Sequence, residues 1–295
     1  MSCSKYSCYA LEFILLFPIP CSATTGVFVV TPDQIVAGID RMANTPNPDG
    51  KLTISGAKKK IALLRGRFIV ACVGIESLKV GPPPQTLVYD FSTWIKGIES
   101  QISDDSSVAT LANIIEREST RTFRSDIPIE EMMKDGELQH IKALDKYLVH
   151  FEVAGFDHSV VWIIEISYEL DWNNNVLVGP EREVKLPSDN ITVAVYDCGH
   201  YGFIKTDQLT DPHSYAHKRI AILAPEEFRR ISAFQPISRT EAIRLVRALI
   251  TIEGEVEPRE VGMGAAVVVL PISGTGTVME YQTPPSVGKK GRKAN

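Results

Sequence analysis

The chain lacks most of the signatures that assign a protein to a common class. Its 295 residues contain five cysteines, three of them within the first 21 residues, so a disulfide-stapled scaffold is excluded. Neither a CxxC pair nor an HExxH motif is present, which removes the usual zinc signatures. A GxSxG elbow is also missing, which disfavours an α/β-hydrolase, and the sequence has no Gly-rich phosphate loop. No apolar run approaches the roughly 20 residues that a membrane-spanning helix needs.

The charge balance disfavours nucleic acid as a partner. Lys and Arg total 31 against 36 Asp and Glu, which gives a net charge of −5, whereas a nucleic-acid binder needs a basic surface. The one basic cluster lies at the C-terminus, in the sequence GKKGRKAN, after two prolines and without apolar periodicity. We therefore expect residues 276–295 to form a disordered basic tail.

Residues 1–23 predict a segment that is removed from the mature protein. Lys5 precedes a short apolar run over 13–19, and the small residues Cys21 and Ala23 follow, which is typical of a secretory signal peptide. A propeptide that the protein removes itself, or a misassigned start codon, would also account for the segment. Cleavage after Ala23 would leave Thr24 as the new N-terminus. We expect a cytoplasmic protein, or an exported one if the segment is a signal peptide, and in neither case a membrane-bound mature form.

The order of apolar runs predicts an α+β fold. Strand-like runs joined by short turns alternate with pairs of amphipathic stretches that have helical periodicity. The strands are predicted at 24–30, 34–40, 59–64, 67–74, 146–157, 160–170, 191–199 and 264–272, and the helices at 86–102, 108–123, 226–234 and 239–254. This order favours two stacked antiparallel sheets with helix layers outside them, a four-layer αββα sandwich. No break in composition divides residues 24–275, so we expect one domain.

Four residues stand out by their spacing. Asp40, in IVAGIDRM, follows Thr24 by sixteen residues, and Gly74, at the end of FIVACVG, follows Lys60 by fourteen. This pattern resembles the proteasome β-subunit family of N-terminal-nucleophile hydrolases, whose mature chains begin with Thr in a TTxxG-like strand. In that family an AxD segment, a lysine and a strand-ending glycine follow at these spacings. The chain carries about four extra residues between Asp40 and Lys60, within the loop NTPNPDGK.

The resemblance continues downstream and covers roughly residues 24–272. The segments VAGFDHSVVWIIEIS, SRTEAIRLVRALI and VGMGAAVVVLPI are similar to the family's hairpin, penultimate helix and closing strand. Three positions depart from the family pattern. Asn44 stands where Ser or Thr is usual, His200 replaces the serine of a Gly-Ser-Gly turn, and Pro258 stands near the last helix in place of an aspartate.

The resemblance implies a threonine peptidase, or more broadly an amide hydrolase, in which Thr24 is the nucleophile. Its own α-amino group, with an ordinary pKa of about 7.7–8.0, could act as the base near neutral pH. An ammonium from Lys60, balanced by Asp40, would favour the neutral amine and the developing alkoxide. The backbone N–H of Gly74 could donate to the oxyanion. The resemblance implies that no metal or organic cofactor is needed. It also implies a peptide or amide substrate and assembly into a homo-oligomer, with a ring as one possible form.

Other interpretations of the same residues stay open. Thr24 could be an ordinary strand threonine, Asp40 a turn residue, Lys60 part of a solvated lysine run and Gly74 the end of a strand. Thr25 would replace Thr24 if cleavage occurred one residue later. The departures from the family pattern also allow a catalytically inactive scaffold subunit of the proteasome fold. A hydrolase of small acylamides is the third alternative.

Overall fold

The computed structural model describes residues 25–46, 52–57, 59–80, 86–138, 147–188, 193–199, 209, 211–256 and 264–281. In chain order the strands are β1 (Thr25–Thr31), β2 (Gln34–Asp40), β3 (Met42–Pro46), β4 (Leu52–Ala57), β5 (Ile61–Leu64), β6 (Phe68–Gly74), β7 (Ser77–Val80), β8 (Thr86–Asp90), β9 (Tyr147–Asp157), β10 (Val160–Asp171), β11 (Val176–Ser188), β12 (Ala194–Gly199), β13 (Ala265–Pro271) and β14 (Thr277–Tyr281). The α-helices are α1 (Phe91–Glu99), α2 (Val108–Arg121), α3 (Ile129–Lys134), α4 (Tyr215–Leu223), α5 (Pro225–Ser232) and α6 (Arg239–Val256), and a π-helical turn (Thr122–Asp126) follows α2.

Two five-stranded sheets form the centre of the protein. The first has the strand order β12-β1-β2-β13-β14 and the second the order β11-β10-β9-β6-β5. Every neighbouring pair in both sheets is antiparallel. The hairpins β3–β4 and β7–β8 pair separately, each as a two-stranded unit.

Three apolar cores separate four layers. The core between the two sheets takes alternate residues of facing strands, such as Phe28 and Ile39 from the first sheet and Ile69 and Ile163 from the second. A second core joins the outer face of the second sheet to α1, α2 and α3. A third joins the outer face of the first sheet to α4, α5 and α6. The order helices, sheet, sheet, helices confirms the predicted α+β fold with two stacked antiparallel sheets.

Helix ends follow local chemistry that the sequence partly shows. At α6 the predicted capping box is present, since the Ser238 N–H donates to Glu241 Oε2 at 2.7 Å and the Glu241 N–H to Ser238 Oγ at 3.3 Å. The helix predicted over 86–102 is wrong in its first part. Asp90 accepts from the Thr93 N–H at 3.0 Å and starts α1 at Phe91, while the preceding residues form β8 and pair with β7.

Several elements were not predicted from the sequence. The 13-residue strand β11 and the helices α3 and α4 are absent from the predicted order. The predicted domain boundary at residue 275 is also wrong, because β14 pairs with β13 beyond it and residues 277–281 are not a disordered tail. The Ser-Gly-Thr-Gly turn before β14 has the composition of a chain end, although it serves as a strand connection. Among the described helices, none is both long and apolar enough to cross a membrane.

β2 and α6 pack closely together at Gly38, which has no side chain. A Cβ atom at Gly38 would lie 2.2 Å from Val246 Cγ1 and 3.0 Å from Ile250 Cδ1. We expect Gly38→Ala to lower the free energy of unfolding by about 1–3 kcal/mol, because α6 must move away from the first sheet. Urea denaturation followed by circular dichroism measures this change.

The matched control is Gly97→Ala in α1, where an added Cβ meets no atom within 4 Å. This variant is expected to gain about 0.5–1 kcal/mol, because alanine loses less backbone entropy than glycine in a helix. Equal effects of the two substitutions would contradict the close approach of α6 to β2.

Candidate active site

Asp40 and Lys60 form an ion pair that joins the two sheets. Asp40 is the last residue of β2 in the first sheet, and Lys60 immediately precedes β5 in the second. Lys60 Nζ lies 3.3 Å from Asp40 Oδ1 and 3.2 Å from Oδ2. Asp40 is 0% exposed and Lys60 is 2% exposed. Charged side chains are almost never this buried unless they are paired, so the two groups depend on each other.

The second sheet fixes where the Lys60 side chain begins. The Cys72 N–H donates to the Lys60 carbonyl at 2.7 Å, which extends the β5–β6 ladder by one residue beyond Ile61. The sequence places Lys60 in a run of three lysines, which suggests a solvated face. The structure separates the run, because Lys59 is exposed while Lys60 is buried. The prediction that Lys60 is distinct from its neighbours and close to Asp40 is therefore consistent with the geometry.

Gly74 ends β6 in a conformation that favours glycine. Its φ angle is +101°, in the left-handed half of the backbone map. A Cβ atom there would lie 2.8 Å from the Leu148 carbonyl oxygen and 3.1 Å from Val149 Cα in β9. Since both neighbours are main chain, they cannot rotate away as a side chain could. Gly74 comes two residues after Cys72, whose N–H binds the Lys60 carbonyl, so the glycine and the ion pair share one end of the second sheet.

The start of β1 approaches the same end of the sandwich. β1 begins at Thr25, and Gly26 pairs with Ile39 of β2. Continuing this antiparallel register by one residue brings Thr25 alongside Asp40. Thr24 lies outside the described residues, so its assignment as the nucleophile stays a prediction. The structure thus brings Asp40 and Lys60 into contact, places Gly74 on an adjoining strand, and directs the beginning of β1 towards Asp40.

The positions that depart from the family pattern add little geometry. Asn44 lies in β3, which pairs with β4. His200 and Pro258 lie outside the described residues. The departures at these three positions are therefore differences in sequence, to which the described part of the chain adds no side-chain contact.

A polar cluster that sequence analysis missed lies beside Gly74 on the inner face of the second sheet. His150, directly opposite Val73, and Glu152, opposite Ala71, project from β9 towards the first sheet. His150 Nδ1 donates to Glu165 Oε1 at 3.0 Å, and Lys185 also binds Glu165. We name these four residues, His150, Glu152, Glu165 and Lys185, the inner cluster.

The acids of the inner cluster have opposite pKa shifts. Burial raises the pKa of Glu152 to about 8, with Lys185 acting against the shift and Glu165 adding to it. Burial also acts to raise the pKa of Glu165, but its hydrogen bonds with His150 and Lys185 outweigh burial and lower the value to about 2. At neutral pH the cluster therefore holds one ionised and one neutral carboxyl group.

A cleft of about 500 Å³ opens elsewhere, between β8, α1 and the π-helical turn. Tyr89 and Trp94 contribute its aromatic wall, and Arg121 and Asp126, which form an ion pair at 3.3 Å, its polar rim. None of the predicted site residues lines this cleft. We therefore assign it no part in the candidate site.

Comparisons with protein families and with curated proteins found no match that assigns a function to the site. No family model matches the chain, and no curated protein matches it significantly. Within the described parts of the chain, no group of three or more His, Cys, Asp or Glu side chains is placed to hold a metal ion.

The ion pair gives a direct stability prediction. Lys60→Met would leave the Asp40 carboxylate buried without this ammonium, and we expect the free energy of unfolding to fall by about 3–5 kcal/mol. Replacing both charges, with Asp40→Leu added to Lys60→Met, should cost less than the single change, because the Asp40 carboxylate is then removed together with the Lys60 ammonium. Urea denaturation of the three proteins measures the difference.

Lys59→Met is the matched control, since it makes the same chemical change at the exposed neighbour. Its effect should stay within about 0.5 kcal/mol. A loss at position 59 as large as at position 60 would show that the measurement reports a general loss of charge and not the buried pair.

Proposed function

We propose that the chain is an amide hydrolase, a threonine peptidase of the proteasome type, that acts after removal of residues 1–23. The observation that carries the proposal is the buried contact between Asp40 and Lys60. This contact lies at the end of the sandwich where β1 starts. The site of action is the cytoplasm, or the outside of the cell if residues 1–23 are an export signal.

The buried pair supports the proposal because stability gives little reason for it. Two charges brought out of water lose several kcal/mol of hydration each, and a well-packed apolar pair of similar volume is often at least as stable. A buried lysine is useful to a reaction that develops negative charge nearby, because its ammonium is not screened by water. Asp40 holds Lys60 at a fixed position, so this charge needs no reorganisation during the reaction.

In the proposed mechanism, the hydroxyl of Thr24 attacks the carbonyl carbon of the scissile amide. The free α-amino group of the same residue takes the hydroxyl proton and later delivers it to the leaving amine. Lys60 favours the neutral form of that amine by charge repulsion and stabilises the alkoxide. Gly74 supplies a backbone N–H for the oxyanion.

A second candidate is a catalytically inactive subunit that keeps the proteasome fold. The specific observation in its favour is the replacement of family residues by Asn44, His200 and Pro258. In this case the Asp40–Lys60 pair would remain only as a structural tie between the sheets. A hydrolase of small acylamides is a third, narrower candidate, and it shares the mechanism of the peptidase.

The mature N-terminus and its reactivity separate these candidates. We expect purified protein to begin at Thr24 and to gain the mass of one inhibitor when treated with an electrophile that acylates hydroxyl groups, such as a β-lactone. Thr24→Ala should lower amide hydrolysis by roughly 10⁴-fold or more, because it removes the nucleophile. N-terminal sequencing, intact mass and turnover of peptide and acylamide panels measure the three quantities.

Thr24→Ser and Thr25→Ala serve as controls in the same assay. Thr24→Ser keeps a hydroxyl and should retain measurable hydrolysis, and Thr25→Ala should retain most of it. Protein that keeps Ala23 and forms no adduct would exclude the N-terminal nucleophile. An adduct that is lost in Thr25→Ala but not in Thr24→Ala would move the nucleophile by one residue.

Assembly is the second functional prediction. An exposed peptidase site would endanger other proteins of the cell, so we propose that copies of the chain form a closed homo-oligomer, with a ring as one possible form. Size-exclusion chromatography with light scattering should give a mass several times that of one chain. A monomer across micromolar concentrations would remove the chamber and favour the hydrolysis of small acylamides.

A further inference from the structure

Three glutamates stand side by side across the second sheet. Glu152 in β9 pairs directly with Glu165 in β10, and Glu165 pairs with Glu183 in β11. Side chains at directly opposed positions lie on the same face, about 5 Å apart at Cβ, and like charges there are destabilising. Glu183 is exposed and can be solvated, whereas Glu152 is 1% exposed. The repulsion is therefore most costly between Glu152 and Glu165.

The surroundings of Glu152 suit a neutral acid better than a carboxylate. Neither of its carboxyl oxygens has a hydrogen-bond partner within the described part of the chain. The nearest cation, Lys185 Nζ, lies 3.7 Å from Oε1 and at the same time binds Glu165. One ammonium thus faces two carboxyl groups, of which only Glu165 has close hydrogen bonds. A buried carboxylate without such bonds carries a large desolvation cost.

We propose that the folded protein holds Glu152 as a neutral carboxylic acid, and that ionisation of Glu152 at alkaline pH opens the side of the sheet interface formed by β11 and β12. The inner cluster is then a pH-sensitive element of the fold. The proposal does not rest on any catalytic role of Thr24.

The charged and titratable groups around Glu152 give the direction of the effect. His150 lies on its own strand, Glu165 on β10, and Lys185 and Glu183 on β11. From the facing sheet, Tyr196 of β12 comes within the influence of Lys185, while burial raises the pKa of this tyrosine. While Glu152 is neutral, Lys185 balances Glu165. Once Glu152 ionises, the buried carboxylate of Glu152 and the half-buried carboxylate of Glu165 both face the Lys185 ammonium.

Water offers the simplest relief of this imbalance. Within the described part of the chain, β11 pairs with β10 alone, so its second half, which carries Lys185, can separate without breaking a second ladder. Arg124 and Glu130 hold its first half by hydrogen bonds at Leu177 and Gly179. Three of its side chains, Val176, Val178 and Val184, are already exposed hydrophobic groups. Elements with exposed backbone hydrogen bonds and little apolar burial open at low free-energy cost. Opening here would hydrate Glu152 and move Lys185 with the strand.

The sign of the pH dependence follows from linkage. Burial raises the pKa of Glu152 to about 8 in the folded protein, and an unfolded glutamate titrates near 4.5. Between these two values the folded state binds more protons than the unfolded state, so the contribution of Glu152 to stability falls as pH rises through this window. Below the window both states are protonated, and above it both are ionised.

Two measurements on the full chain test the proposal. Carbon-13 NMR of side-chain carboxyl groups in glutamate-labelled protein should show a resonance that titrates near pH 8 and is missing from Glu152→Gln. Hydrogen exchange by mass spectrometry, corrected for the intrinsic pH dependence of exchange, should show that peptides of β11 lose protection above pH 8 in the parent. Glu152→Gln should keep that protection, because its amide cannot ionise.

Glu181→Gln is the matched control, since Glu181 is an exposed glutamate on β11. It should behave as the parent in both measurements. A Glu152 resonance that titrates near its ordinary value would overturn the first half of the proposal. Protection of β11 with the same pH dependence in the parent and in Glu152→Gln would overturn the second half, and so would an equal rescue by Glu181→Gln.

Lys185→Met keeps the test decisive if Glu152→Gln does not fold. Removing the ammonium should move the alkaline carboxyl titration to higher pH, because Lys185 acts to lower the pKa of Glu152. A titration that stays in place or moves to lower pH would contradict the proposal.

Discussion

The ion pair between Asp40 and Lys60 is the constraint on which the candidate site depends. It connects the last residue of β2 to the residue before β5, and therefore fixes one sheet relative to the other at a single end of the sandwich. Apolar packing between the sheets is not directional and tolerates small displacements, whereas a charged contact at 3.2 Å does not. The pair thus sets the geometry of this end more tightly than the core can.

The layered fold delivers the remaining site groups to that same end. Because the strands are antiparallel, the end of β2 lies beside the start of β1 and the start of β13, at one end of the first sheet. The start of β5 and the end of β6 lie side by side at the corresponding end of the second sheet. Residues that are distant in sequence are brought together by the register of the strands. Asp40 and Gly74 each end a strand, and Lys60 lies directly before one.

Much of the fold could be predicted because strand and helix periodicity are local properties. The runs FIVACVG and SRTEAIRLVRALI each carry their own pattern, and Ser238 with Glu241 marks a helix start by direct hydrogen bonds. Asp90 shows the limit of this approach. Apolar residues before and after it share a helical spacing, but its side chain caps the helix at Phe91 and leaves β8 outside.

The contact between Asp40 and Lys60 was predictable only because their spacing in the sequence carried a signal. Asp40 and Lys60 could be paired by their distances from Thr24 and Gly74, but burial of Lys60 beside the exposed Lys59 is a tertiary property. The inner cluster could not be recognised at all. In β9, His150 and Glu152 alternate with apolar residues, which is the pattern of a strand with one face in water. The first sheet lies over that face, so the same alternation places charges in the interior.

The edge of the second sheet has a consequence for how copies of the chain could associate. A free edge strand is a template for pairing with a strand of another molecule. β11 carries Pro180 and Pro187, which have no N–H to donate, and its exposed charges Glu181, Arg182 and Glu183 would be dehydrated by a pairing strand. Growth of the sheet from one chain into the next is therefore disfavoured along this strand.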